Sequence, residues 1–338
     1  DTSTEIATLA YENEGEVADI LDQVEQKIVK IIRNRRSSEF RTIQEVLGEV
    51  QKNLEKLSET KGEVTGIPTG FYELDKLTSG FHENQLIILA ARPAMGKTAF
   101  ALNLATNVAV NTDKTVAIFS LEMGAEQLAN RIISSLGQIE GSKLSSGNLL
   151  NNDWKRITEA RSQLATAKLY ISDDAGVTVG DIKSKCRRLA TSEEGLDLVI
   201  IDHLQLLTMG GNYGNNRQAE ITDISRSLKK MAMELNIPVI ALAQLSRGVE
   251  SREDKRPKMS DLRESGSIEQ DADIVALLYR DDYYQTPKDS NESPDPSLSE
   301  LIIGKHRNGP TGKIDLLFRK NTSTFLNFIK DNKGEPNE

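Results

Sequence analysis

Residues 86–111 read LIILAARPAMGKTAFALNLATNVAVN, and the order of textures in that stretch decides the fold. A run of aliphatic residues over 86–90 predicts a strand buried on both faces. The loop Ala91-Arg92-Pro93-Ala94-Met95-Gly96-Lys97-Thr98 follows, then a helical run over 99–110. Strand, glycine-containing loop and helix in that order describe a P-loop. Its successive backbone N–H groups and helix N-terminus cradle phosphates, Lys97 adds a movable positive charge near the β and γ oxygens, and the Thr98 hydroxyl can ligate Mg²⁺. Gly96 allows close backbone approach. Residues 94–99 (Ala94, Met95, Gly96, Lys97, Thr98, Ala99) are the expected nucleotide contacts. The general pattern opens on Gly, whereas this chain has Ala91 there, so the backbone at 91 must adopt a conformation that admits a Cβ.

Short aliphatic runs recur at 116–119, 169–171, 198–201, 239–242, 274–278, 301–303 and 314–318, with amphipathic helical stretches between them. That alternation predicts an α/β fold with a mostly parallel central sheet. The last two runs flank Asn308-Gly309-Pro310-Thr311-Gly312 and read as a terminal hairpin. Parallel strands converge at their C-terminal ends, so polar residues there share one crevice with the P-loop. Asp202 ends the run 198–201 as a Walker-B-type acid, placed to share Mg²⁺ with Thr98. Glu122 follows the run at 116–119 and could polarise an attacking water. Gln244 follows 239–242 and offers an amide that could sense a γ-phosphate.

The remaining features bound the function. The chain has 338 residues, enough for one large core or two domains of about 150 residues each. With 42 basic and 51 acidic side chains the formal charge is −9, which excludes a uniformly basic nucleic-acid coat yet permits a local basic channel. Cys186 is the single cysteine, so neither a disulfide framework nor a Cys-based zinc site is available. No apolar run approaches the roughly 18 residues of a membrane span, and no export signal opens the sequence; a soluble cytoplasmic protein is expected. The missing initiator Met suggests a start inside a longer chain.

Residues 1–62 are charged and helical in pattern, with one helix over 17–31 and a second over about 41–57 carrying Ile43, Val46, Leu47, Val50, Leu54 and Leu57 on one stripe. That stripe needs a partner, either within its own domain or on a neighbouring subunit. The segments 210–216 and 286–299 have the composition of mobile loops. The expected organisation is a helical linker over 1–62, an ATPase domain over 63–330 and a polar tail over 331–338.

Several segments together resemble the DnaB-type bacterial replicative DNA helicases: Gly66-Ile67-Pro68-Thr69-Gly70-Phe71, the P-loop, Phe119-Ser120-Leu121-Glu122-Met123, Ile201-Asp202-His203-Leu204-Gln205, and residues 261–270, DLRESGSIEQ. The similarity spans about 43–328. It implies a RecA-like ATPase core lacking most of an N-terminal domain, assembled as a homo-hexamer around single-stranded DNA, with ATP and Mg²⁺ between subunits and with primase and a helicase loader as partners. On that resemblance Lys97 and Thr98 bind ATP and Mg²⁺, Glu122 is the catalytic base, Asp202 the Walker-B acid and Gln244 the γ-phosphate sensor.

Lys305-His306-Arg307-Asn308-Gly309 matches the segment this family projects into the neighbour's nucleotide, making Arg307 the arginine finger and Lys305 its assistant. Arg263, Glu264 and Gly266 would line the DNA path, Glu264 through its backbone N–H. Residues 218–221 and 247–258 also come into consideration there. From 247 to 263 the basic residues Arg247, Arg252, Lys255, Arg256, Lys258 and Arg263 exceed the acids by two, a modest surplus. The helix over 41–57 resembles the linker that docks on the adjacent protomer. His203 stands where the family has Tyr, and with three histidines and no paired ligand spacing it reads as a packing residue. The rival is a RecA-like recombination or regulatory ATPase that forms filaments without unwinding; a loader-bound core inactive without its N-terminal domain is a third reading.

Overall fold

The computed structural model describes residues 42–59, 64–210, 213, 216–284 and 295–329. The expected helix over 17–31, most of 286–299 and the tail 331–338 lie outside these residues. The chain divides into two compact units, Asp1–Glu63 and Val64–Glu338.

The first unit contributes helix α1, Ile43–Glu59. It starts on a reciprocal cap, with Glu45 N–H donating to the Thr42 hydroxyl and Thr42 N–H to the Glu45 carboxylate. Ile43, Leu47, Val50 and Leu54 are all exposed along it.

The second unit is built on a nine-stranded sheet in the order β3-β2-β4-β5-β1-β6-β7-β8-β9. Strand β1 is Leu86–Ala91, β2 Val116–Ser120, β3 Leu169–Ser172, β4 Leu198–Asp202, β5 Val239–Gln244 and β6 Ile274–Arg280. These six pair in parallel. Strands β7 (Ser297–His306) and β8 (Gly312–Arg319) form the expected antiparallel hairpin on β6, and β9 (Thr324–Asn327) adds an edge the sequence patterning missed. Four residues with a single apolar pair at their centre, Phe325 and Leu326, are too short to register as a strand.

Every β1 residue is buried because the sheet is covered on both sides. Ile87, Leu89 and Ala91 face one layer with helices α2 (Tyr72–Thr78) and α3 (Lys97–Asn111). Leu86, Ile88 and Ala90 face the other. Around that sheet run α4 (Ala125–Gly137), α5 (Gly141–Ser146), α6 (Asn151–Thr166), α7 (Val179–Ala190), α8 (Arg217–Leu235) and α9 (Gly266–Asp271). Burial of Ile221 within α8 removes it from any solvent-facing role. No described helix is long and apolar enough to cross a membrane.

The Gly66–Phe71 segment has a structural explanation. Buried Asp75 accepts hydrogen bonds from Thr69 N–H at 2.8 Å and Gly70 N–H at 3.2 Å, while Asn107 of α3 donates to the Thr69 carbonyl and Asn327 of β9 to the Gly70 carbonyl. A turn is thereby tied to the P-loop helix and to the last strand.

Candidate functional site

Strand β1 runs through Ala91, so the unexpected alanine is an ordinary strand residue and its Cβ meets no conflict. The left-handed positions fall later, at Ala94 (φ 64°) and Gly96 (φ 92°). A Cβ on Gly96 would stand 3.1 Å from Phe325, tighter than ordinary contact, so a side chain there is disfavoured by both conformation and space. Helix α3 begins at Lys97, two residues before the patterned run. Lys97 and Thr98 are therefore in its first turn, where free N–H groups and the helix dipole favour an anion. Ala94 and Ala99 line the cleft, whereas Met95 is buried in the core at 1% exposure and turns its side chain away.

The cleft over this loop has a volume of about 370 Å³ and is bounded by the P-loop, Glu122, His203, Gln244 and Arg280. At its floor the Thr98 hydroxyl donates to Asp202 Oδ2 at 2.6 Å. Lys97 Nζ stands 3.7 Å from Asp202 Oδ1, an oxygen with no hydrogen-bond partner among the described residues although Asp202 is 3% exposed. Burial pushes the Lys97 ammonium below the usual lysine range, opposed by the charges of Asp202 and Glu122.

Glu122 is held at the rim by a compact turn. Ser120 Oγ donates to the Met123 carbonyl and accepts from Met123 N–H, and Leu121 N–H donates to the Asp202 carbonyl at 2.6 Å. Its carboxylate is largely open to the cleft, and Oε2 lies 3.5 Å from His203 Nδ1. His203 is thus a packing residue that also faces the acid. Burial, reinforced by the nearby Lys97 charge, keeps its imidazole below the usual histidine range. Ligand-capable atoms of Glu122, Asp202 and His203 lie within 4.8 Å of one another. Gln205 clamps the end of β5, accepting from Gln244 N–H and donating to its carbonyl, each at 3.1 Å, which leaves the Gln244 amide to the cleft.

Arg280, Arg131 and Lys320 also line the cleft and were not anticipated. Arg280 ends β6, so the strand-end rule that singled out Asp202 and Gln244 also reaches it. The guanidinium binds Asp282, lies 4.2 Å over the Phe318 ring and reaches the carbonyl of Ala94. Arg92 is engaged elsewhere, donating through Nε and Nη2 to Glu250 and through Nη1 to the Leu245 carbonyl.

Lys305 and Arg307 are absent from the lining of this cleft. Lys305 Nζ donates to the carbonyls of Glu269 and Gln270, and Arg307 Nη1 is 3.3 Å from Asp273 Oδ1. His306 packs over Gly309 and meets the Pro310 carbonyl at 3.2 Å, shaping the turn that carries Arg307.

The backbones of Arg263 and Glu264 belong to the 3-10 segment Met259–Ser265, their side chains lie outside the described set, and Gly266 opens α9, exposed. Cations in 247–258 are largely satisfied internally: Arg252 binds Asp261, Arg256 binds Glu300, and Lys255 sits over the Tyr284 ring.

A family model described as the DnaB-like helicase C terminal domain matches residues 66–327. The chain is 51% identical over 337 residues to the replicative DNA helicase DnaC of Bacillus subtilis, covering 99% of this chain and 73% of that protein. It is also 51% identical over 326 residues to the replicative DNA helicase DnaB of Geobacillus stearothermophilus, covering 96% and 70%. A solved DnaB-like replicative helicase, described together with its interactions with primase, superimposes with a TM-score of 0.80 at 38% identity over 97% of this chain and 76% of that one. A solved ATPase domain gives 0.79 at 42% identity, covering 86% of this chain and all of that one.

Proposed function

We infer the mechanism from the family to which this chain belongs, the DnaB-like replicative DNA helicases: ATP hydrolysis drives movement along single-stranded DNA and separation of the duplex at the replication fork. The observation that carries the site assignment is the contact between Thr98 and Asp202 at the floor of the cleft, with Lys97 beside it.

These residues fit Mg²⁺. A hydroxyl and a carboxylate meet there, and the second carboxylate oxygen is buried without a hydrogen bond. Thr98 and Asp202 would hold the ion, which when bound neutralises charge between the β- and γ-phosphates. Lys97 and the α3 N-terminus bind the phosphate oxygens. Glu122, at the open rim, orients a water and accepts its proton. Gln244 reports whether the γ-phosphate is present.

On the family resemblance Arg307 and Lys305, which do not line their own cleft, are assigned to the cleft of an adjacent copy. Arg307 would stabilise the charge that develops on the transferred phosphoryl group through its planar fork, with Lys305 as a point charge. The family resemblance makes the assembly a ring of six copies, and the exposed stripe on α1 supplies an apolar face for a neighbouring subunit. Arg263 would neutralise DNA phosphates, Gly266 admit the strand closely and Glu264 donate a backbone N–H; such contacts bind without reading bases. Primase and a loader complete the proposed partners, and the cytoplasm is the proposed location.

The test is ATPase activity with and without oligothymidine, alongside displacement of a tailed duplex and electron microscopy of the assembly. Closed rings with strand displacement are expected. Open filaments that exchange strands without displacing them overturn the reading in favour of the recombination ATPase.

A further inference from the structure

Lys305 and Arg307 are both engaged within their own chain, by one contiguous stretch of it. Strand β7 reaches them through a bulge: Val275 pairs with Lys305 while Ala276 pairs with Ile303, leaving Gly304 as the extra residue. Met259 lies over that glycine so closely that a Cβ there would stand 2.7 Å from its Sδ. At the other end of the same stretch, the Glu269 and Gln270 carbonyls of α9 accept from Lys305 Nζ at 2.6 Å and 3.1 Å. A helix C-terminus has free carbonyls and the negative end of its dipole, so an ammonium is favoured there. Gly266 lies between these two points of attachment.

Asp273 follows directly and completes the arrangement. It is 5% exposed, and its Oδ2 is committed, accepting from Leu86 N–H of β1 at 2.8 Å and from Lys229 of α8 at 2.5 Å. The other oxygen, Oδ1, faces Arg307 Nη1 at 3.3 Å, while Arg307 N–H donates to the Asp273 carbonyl at 2.8 Å. The carboxylate is fixed and buried; the guanidinium side chain is 58% exposed. A pair with one partner in solvent is weak enough to exchange. A planar cation that recognises a carboxylate also recognises phosphoryl oxygens.

We propose that Asp273 is a positioning residue for the arginine finger: it holds Arg307 in a rest position within its own subunit, and the stretch 259–271 ties release of that hold to DNA. This rests on the proposed assignments of Arg307 to a neighbouring copy's nucleotide and of Gly266 to the DNA path. A strand pressing on Gly266 moves α9 against Lys305 and Met259 against Gly304, and Arg307 exchanges Asp273 for the neighbour's γ-phosphoryl oxygens. The subunit gripping DNA is therefore the one that presents its finger.

Two substitutions in one ion cluster carry the test, because their effects have opposite signs. In Asp273→Asn an oxygen remains for Leu86 N–H while the charge facing Arg307 is lost. DNA-free ATPase should rise several-fold, stimulation by oligothymidine should fall by the same factor, and KM for ATP should stay unchanged. Lys229→Gln removes the competing cation and leaves Arg307 as the main counter-charge, so the DNA-free rate should fall and stimulation should increase. A purely structural role for Asp273 would move both variants in one direction or neither, and either result overturns the proposal. Should Asp273→Asn fail to fold, a DNA-free rate in Lys229→Gln equal to or above the parent's overturns it alone. Arg307→Ala in the same assay separates the two levels. Wild-type hydrolysis there overturns the finger assignment itself, whereas lost hydrolysis with unchanged stimulation ratios in both other variants overturns only the rest position.

Discussion

Thr98 and Asp202 meet at 2.6 Å across 104 residues of sequence, one in the first turn of the P-loop helix and the other closing β4. The parallel pairing of β1, β5, β4 and β2 brings their C-terminal ends together and makes that contact possible. Thr98→Val should abolish Mg²⁺-supported hydrolysis and leave Asp202 Oδ2 without its donor. Leaving a buried acceptor unpaired costs about 1–3 kcal/mol, visible as a lowered Tm. Unchanged Mg²⁺ dependence of the ATPase would argue against the shared metal site.

Glu122→Gln should reduce hydrolysis by about 10²–10⁴, the usual contribution of a positioned base, while a fluorescent nucleotide still binds. The substitution is isosteric and the residue lies at the open rim, so thermal stability should be nearly unaffected. Loss of binding in parallel with hydrolysis would place Glu122 in nucleotide affinity instead.

Arg307→Ala should lower hydrolysis by about 10³–10⁵ while sparing binding. Lys97→Ala should be inactive through loss of the phosphate-side charge. Mixing the two inactive chains should restore partial activity if cation and cradle belong to different copies. Inactivity of the mixture would assign each site to a single subunit.

Gly96→Ala should fold yet lose nucleotide affinity, because the position requires φ 92° and the new methyl would meet Phe325 at 3.1 Å. Far-UV circular dichroism and nucleotide titration distinguish this outcome from unfolding.

Glu300, 5% exposed, accepts from Arg256 and Lys313, and the Arg256 hydrogen bond chiefly holds its carboxyl below the ordinary value of 4.5. A depressed folded pKa means that the ionised form stabilises the protein above 4.5 and that this contribution is lost as pH falls through the lower folded value. Glu300→Gln should therefore lower Tm at neutral pH, and the gap to the parent should narrow below about pH 4.5. A gap independent of pH would point to packing alone.

Much of this was legible in the sequence because parallel strands buried on both faces leave unbroken aliphatic runs, and because polar residues ending those runs have few reasons to be there. Asp202, Glu122 and Gln244 follow from that logic. Arg280 obeys it too, yet it sits one residue beyond a Tyr that interrupts the run, and so it escaped. Strand β9 escaped because its assignment depends on β8 alongside it, a long-range pairing that four residues cannot announce. The in-chain partners of Lys305 and Arg307 were beyond reach for the same reason. They are backbone carbonyls and a distant carboxylate, and a carbonyl has no letter in the sequence.

Strand β9 props the phosphate loop from behind. Phe325 N–H donates to Asn103 of the P-loop helix across 222 positions, the Phe325 ring backs Gly96, and Asn327 secures the Gly70 turn. A molecule without β9 would keep every residue of its phosphate loop and lose these props. Its grip on nucleotide would thereby depend on a strand that supplies no residue to the cleft lining.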